Sequence, residues 1–535
     1  MTAVSDTPVP LPDPHLVTAL ATDLDGADLR SEPLRRLWGE EADDALARGL
    51  RTPILRAVGG DSSPRATLGR LFVLGMPQPV AAVADALPRL GVDGLVALGL
   101  ARVDAAASEI RPLALVRPQS FVDAEGVGEW WIASDLDEAA LGSELPADHV
   151  LGVGGASRTL AELVVPAPVG RALDLGTGCG IQALLLARRA GAVVATDVSE
   201  RALAFGELNA RLNGVTNIEF RRGSMFDPVG GEAFDLVVSN PPFVITPRGA
   251  DVPAYEYRDG GLVGDALVEG FLRTVPAHLT PGGVAQLLGN WESREGAAGL
   301  DRVRSWIDED LDAWVIEREE LSPLAYAELW IRDGGTTPRD AAFTPLLEAW
   351  LDDFTARGVT SIGFGYVLLR RPDRALSGRA GGDPLPGRAE VDPLPEPTSP
   401  PLPEPAEGRL RRFEHLTQPF SQTGSALQAG LAAFDALAHG IPRTLFVAGD
   451  VTEARHLMPG DDDPSVIELR QGGGLGRTVE VDPALAAFVG ACDGDLTVAQ
   501  IAAALAELFE VPLAELWTDL EPRIYALMLD GFLHG

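Results

Sequence analysis

The run Asn240-Pro241-Pro242-Phe243 combines residue types suited to one piece of chemistry. An NH2 group conjugated to a carbonyl or an aromatic ring has a delocalised lone pair and is a poor nucleophile. Acceptors for its two N–H protons push electron density back onto the nitrogen. The carboxamide oxygen of Asn240 can be one acceptor and the backbone carbonyl of Pro241 the other. Two consecutive prolines fix the turn so that both oxygens converge, and Phe243 can stack on a planar face. The tetrapeptide follows Phe234-Asp-Leu-Val-Val-Ser239, a short apolar run of strand type. It therefore lies at the carboxyl end of a strand, the edge where open α/β sheets bind ligands. The plain alternative is a strand-ending Pro-Pro turn with a buried Phe.

A second motif precedes it. Asp174-Leu-Gly176-Thr-Gly178-Cys-Gly180 follows an apolar run and opens a helical pattern. Glycines in such a turn let backbone approach a ligand closely, and the first N–H groups of the helix favour an anionic group. Asp197 ends the next apolar run, about twenty residues on, where an acid can accept ribose hydroxyls. The glycines fall at every second position after an acid, unlike the GxGxxG of nicotinamide enzymes. Together the two motifs resemble the class I S-adenosylmethionine-dependent methyltransferases, in particular those of the methyltransferase small domain that act on planar amine nitrogens: guanine N2, adenine N6 and HemK-like glutamine. The resemblance covers roughly residues 150–371. It implies that S-adenosylmethionine is the cofactor, with Asp174, Gly176, Gly178 and Gly180 at its methionine part and Asp197 at its ribose. The family's usual adenine-contacting Asp is replaced by Ser224, so Ser224, Met225 and Phe226 are expected to line the adenine. Asn240 is counted with the cofactor-binding residues as well, and Asn240, Pro241, Pro242 and Phe243 as catalytic.

Positioning these motifs requires a parallel sheet. Short apolar runs at Ala172–Leu175, Val193–Asp197, Ile218–Arg221, Phe234–Ser239, Val284–Leu288, Trp314–Glu317 and Ile362–Leu369 alternate with helical patterns. That alternation means βαβ units. The expected fold is α/β, a Rossmann-like seven-stranded methyltransferase sheet over 149–371. Residues 1–148 read as an α-rich, winged-helix-like domain. Residues 372–408, with Pro-Leu-Pro-Glu-Pro repeats, read as an extended linker. Residues 409–535 read as a C-terminal α+β winged-helix-like domain, whose Gly494, Thr497, Ile501, Leu505 and Gly531 resemble PqqD-type peptide-binding domains. Tyr255-Glu-Tyr257-Arg258-Asp259 is placed to form a lid over the acceptor, or simply a solvated loop.

The 535-residue chain has room for about three domains. Its net charge is −35, and its 43 basic residues are all arginine. Such a charge opposes generic binding to phosphate backbones. Two cysteines make no disulfide framework, and neither a signal peptide nor a membrane-length apolar run is present, so the expected location is cytoplasmic. The histidines and cysteines show no metal-ligand spacing, and no metal is expected. The first functional expectation is N-methylation of an exocyclic base nitrogen in rRNA, tRNA or DNA. The alternatives are a protein glutamine or small-molecule amide as acceptor, or a non-catalytic nucleic-acid- or peptide-binding adaptor.

Overall fold

The computed structural model describes residues 7–123, 126–143, 145–248, 258–373, 408–460 and 462–535. Its centre is one eight-stranded sheet: β1 Val169–Leu175, β2 Ala190–Asp197, β3 Ile218–Arg222, β4 Phe234–Ser239, β5 Leu279–Arg294, β6 Asp312–Leu321, β7 Val359–Arg370 and β8 Arg411–His415. The order across the sheet is β3-β2-β1-β4-β5-β7-β6-β8. Strands β1 to β5 are mutually parallel, and β7 is antiparallel to both β5 and β6. The inner strands read as continuous apolar runs because helices cover both faces, leaving Leu173, Val237, Ala285 and Val315 with no exposed surface. The strand order reverses between β1 and β4, the topological switch point where α/β sheets open a crevice at the carboxyl ends of their strands.

Seven of these strands are the seven apolar runs expected from the sequence to form a Rossmann-like sheet. The eighth, β8, pairs in parallel with β6 and comes from the segment assigned to the C-terminal domain. A boundary at 409 therefore does not separate two folding units. The charged side of β8 is held by Glu414, which accepts from Trp314 Nε1 and Arg477 Nη2, both at 2.6 Å. Helix Thr423–Leu437 lies on the sheet, with Leu427 and Leu431 in the same core as Trp314 and Leu368. Beyond it come an antiparallel meander (451–456, 466–471, 478–481) and three helices, Pro483–Gly490, Val498–Leu508 and Leu513–Leu529. The expected linker lies almost wholly outside the described residues.

The N-terminal region begins with four helices. Residues 64–112 then run helix, strand, helix, helix, strand, strand, and the three short strands order as 78–79, 109–112, 101–104. A hairpin, Ala114–Asp123 and Gly126–Asp135, joins this segment to the region of the central sheet. The boundary near 148 is again not a gap in the packing. Trp130, Trp131 and Ile132 share one core with Ile181, Leu184, Phe205 and Leu208.

Candidate functional site

Three strand ends lie level. Leu175 of β1 is the Cα partner of Thr196 in β2 and of Ser239 in β4. The next residues, Gly176, Asp197 and Asn240, thus sit side by side at the carboxyl edge of the sheet. The glycine loop folds back on β2, where Gly176 and Thr177 both donate backbone N–H to the Thr196 carbonyl at 2.9 Å. Gly176, Gly178 and Gly180 all have left-handed φ (77°, 54° and 85°). A Cβ on Gly176 or Gly178 would meet nothing within 4 Å, so the loop borders open space. At Gly180 it would come within 2.9 Å of Gly206 Cα.

Asp174 is placed differently from the sequence-based expectation. It is buried, and its Oδ2 accepts the Thr177 hydroxyl at 2.6 Å and the Ala183 N–H at 3.0 Å. Burial pushes its carboxyl up to about 7. This carboxyl braces the loop against the start of helix Ile181–Ala187. Asp197 does face the loop: Oδ2 accepts the Gly178 N–H and Oδ1 the Ser199 N–H, each at 2.9 Å. Burial raises its carboxyl above the usual carboxylate range, against the backbone donors that lower it. Cys179 in the loop is buried, and its thiol is pushed up to about 11.

The segment after β3 splits. Ser224 is exposed and Met225 half-buried, with Met225 at φ 47°. That left-handed turn carries Phe226 inward. Its ring is stacked on the His278 imidazole, centroids 4.6 Å apart, and tilted against Phe271 at 5.4 Å. Phe226 is a core residue here and presents no face to a cofactor, so the expectation for it is corrected. Ser224 and Met225 remain at the surface of the crevice side.

At the end of β4 the Asn240 side chain is half-buried, and its Oδ1 is fully shielded with no hydrogen-bond partner. Pro241 is buried. The chain then bridges to a returning segment: Val244 N–H donates to the Arg258 carbonyl and Gly260 N–H to the Pro242 carbonyl, both at 3.1 Å. The Phe243 ring is half-exposed, 5.6 Å from Phe364. A small cleft lies between Pro242, Phe243 and Val244 on one side and Gly260, Leu262 and Asp265 on the other. Of the expected lid, Tyr255 and Tyr257 lie outside the described residues. Arg258 and Asp259 are buried, with Arg258 3.7 Å from Asp333 and Asp259 accepting from Arg248 and from Gly261 N–H. Behind the tetrapeptide, the buried Tyr326 hydroxyl accepts the Ile245 N–H at 3.0 Å. Nothing local in the sequence marks Tyr326. His149 is buried, 4.0 Å from Asp135. Among the described residues no cluster of His, Cys, Asp and Glu could hold a metal ion.

Residues 152–295 match the family described as "Methyltransferase small domain", and residues 26–113 match a domain of unknown function, DUF7059. The chain is similar to the release factor glutamine methyltransferase of Xylella fastidiosa, 39% identical over 137 residues, covering 24% of this chain and 49% of that protein. It is similar to the ribosomal protein uL3 glutamine methyltransferase of Bradyrhizobium diazoefficiens, 34% identical over 176 residues, covering 31% and 54%. A putative protein N5-glutamine methyltransferase of Methanocaldococcus jannaschii is 33% identical over 119 residues, covering 22% and 59%. The chain thus spans about half the length of these relatives.

Proposed function

We propose that this chain, whose central sheet is that of a class I methyltransferase, transfers a methyl group from S-adenosylmethionine to the side-chain amide nitrogen of a glutamine in a protein. The observation that carries the reading is the shielded, partnerless Oδ1 of Asn240 at the switch point of the sheet. A buried acceptor without a donor is costly unless a ligand completes it. An amide NH2 does so: one N–H to Asn240 Oδ1 and the other to the Pro241 carbonyl.

The residues present suit the cofactor. The open, left-handed glycine turn admits close backbone approach, and the Asp197 carboxylate stands at its mouth. When bound, S-adenosylmethionine supplies an electrophilic methyl on a positively charged sulfur. The amide nitrogen gives up one N–H proton to solvent as it takes the methyl, and the chain's own groups have a positioning task. Asn240 and Pro241 orient the acceptor nitrogen and raise its nucleophilicity, and Phe243 holds the planar amide by its face. The two prolines restrict the turn that carries both oxygens, which limits the reorganisation needed at the moment of transfer.

The names of the relatives and the −35 charge favour a protein amide over a nucleic-acid base. The test is transfer of labelled methyl from the cofactor to cell extract. Label that protease releases and nuclease leaves, recovered as N5-methylglutamine after digestion, supports the reading. Label removed by nuclease overturns it in favour of a base.

A further inference from the structure

Among the described residues, strands Ala114–Asp123 and Gly126–Asp135 pair only with each other, so the outer edge of Gly126–Asp135 has backbone groups in need of partners. Helix Glu200–Leu212 and its C-cap Asn213 supply them from side chains. Asn213 Oδ1 accepts the Trp131 N–H at 3.0 Å and its Nδ2 donates to the Trp131 carbonyl at 2.8 Å. Asn209 repeats the pattern on Ala133, at 2.7 Å and 2.9 Å. The spacing matches: four residues of helix rise about 6 Å, and two residues of strand span about 6.6 Å. The two carboxamides thus act as a substitute strand.

The two asparagines differ in one bond. The second Nδ2 hydrogen of Asn213 goes to the Asn209 carbonyl, within its own helix, at 2.8 Å. That of Asn209 goes to the Cys179 carbonyl, in the glycine loop, at 2.9 Å. The Cys179 carbonyl shares its peptide plane with the Gly180 N–H, which donates to Thr177 at 2.9 Å. That plane is therefore held from both ends. One turn earlier on the same helix, Gly206 lies against Gly180. Asn209 has no exposed surface and reaches hairpin, helix and loop together. The hairpin is also tied by Asp123 to Arg188, just past helix Ile181–Ala187, and by Asp135 to Arg201.

We infer that Asn209 is a positioning residue of the cofactor site, and that the N-terminal hairpin sets cofactor affinity through it. The inference rests on the cofactor reading above. The hairpin fixes Asn209, Asn209 fixes the 179–180 peptide, and that peptide sets the loop that meets the ligand.

The test uses the full chain, with calorimetry of S-adenosylhomocysteine at a temperature where every variant is folded. Asn213→Ala should lower Tm yet leave affinity within about twofold. Asn209→Ala should lower Tm comparably and weaken affinity about tenfold or more, with faster amide hydrogen exchange across 176–181. If Asn209→Ala does not fold, Asn209→Ser, which keeps a polar group in the buried site, is read the same way. Unchanged affinity and exchange in the Asn209 variant overturn the inference, as does a loss in Asn213→Ala as large as that in Asn209→Ala. Absence of binding by the unaltered chain would instead overturn the cofactor reading, and this inference with it.

Discussion

The Ser239 hydroxyl donates to the Leu175 carbonyl at 2.8 Å, joining the last residues of β4 and β1 where the two motif-bearing loops depart. Both residues are buried. This bond keeps the glycine turn and the Asn-Pro-Pro-Phe turn at one level, so a donor held by the first can face an acceptor held by the second.

Asn240→Ala should abolish most methyl transfer while leaving cofactor affinity nearly unchanged. Loss of one preorganised polar partner costs on the order of 10² to 10³ in rate, by analogy with an oxyanion-hole donor. Initial-rate kinetics on the identified acceptor, beside calorimetry, check this. Full turnover in the variant would remove Asn240 from the chemistry.

Asp197→Ala should weaken cofactor binding for two reasons. It removes the acceptor proposed for the ribose hydroxyls, and it frees the Gly178 and Ser199 N–H groups that the carboxylate now holds. Each bond lost to a charged acceptor is worth about 1.5–3 kcal/mol. Asp197→Asn keeps an acceptor oxygen and should fall between wild type and Asp197→Ala in affinity.

Gly176→Ala and Gly180→Ala both force a side chain into a left-handed backbone, at about 1–2 kcal/mol. Only Gly180→Ala also drives a Cβ against the Gly206 backbone. Thermal unfolding should therefore show a larger loss for Gly180→Ala. Equal losses would mean that helix 200–212 yields at Gly206.

The Asp174 carboxyl, at about 7 in the folded chain against 3.8 for an unperturbed one, makes folding pH-dependent. The folded state binds this proton more tightly than the unfolded state. Its stabilising contribution is complete below about pH 4 and is lost as pH rises through 7, at about 1.4 kcal/mol per unit. Asp174→Asn retains an oxygen for Thr177 and Ala183 and cannot ionise. Denaturant midpoints between pH 5 and 8 should fall less steeply in the variant.

Because β8 is the edge strand of the central sheet, a chain cut at an engineered protease site within 374–407 should stay assembled on size-exclusion chromatography. Glu414→Ala should destabilise it by less than the about 3–5 kcal/mol of a buried pair left uncompensated, since Glu414 is only half-buried and Arg412 and Arg477 keep Asp530 as a partner. Separation of the fragments without denaturant would contradict the shared sheet.

Much of the site was legible in the sequence because its signals are local. Glycines at every second position demand a left-handed turn, two prolines demand a fixed one, and apolar runs between helical patterns demand a parallel sheet. Sequence alone therefore determined the sheet of seven strands, the turn at 176–180 and the place of Asn240 at a strand end. What tertiary structure decided depends on residues far apart in the chain. Asp174 is buried because Thr177 and Ala183 close over it, and Phe226 joins the core because Met225 turns the backbone toward His278. The eighth strand follows a stretch whose composition reads as a boundary, so only its pairing with β6 reveals it. Asn209 and Asn213 are polar residues in and at the end of a helix, and nothing nearby in sequence says what they face. Their partners are an edge strand and a loop carbonyl, 76 and 30 residues away from Asn209, and only packing brings those groups within reach.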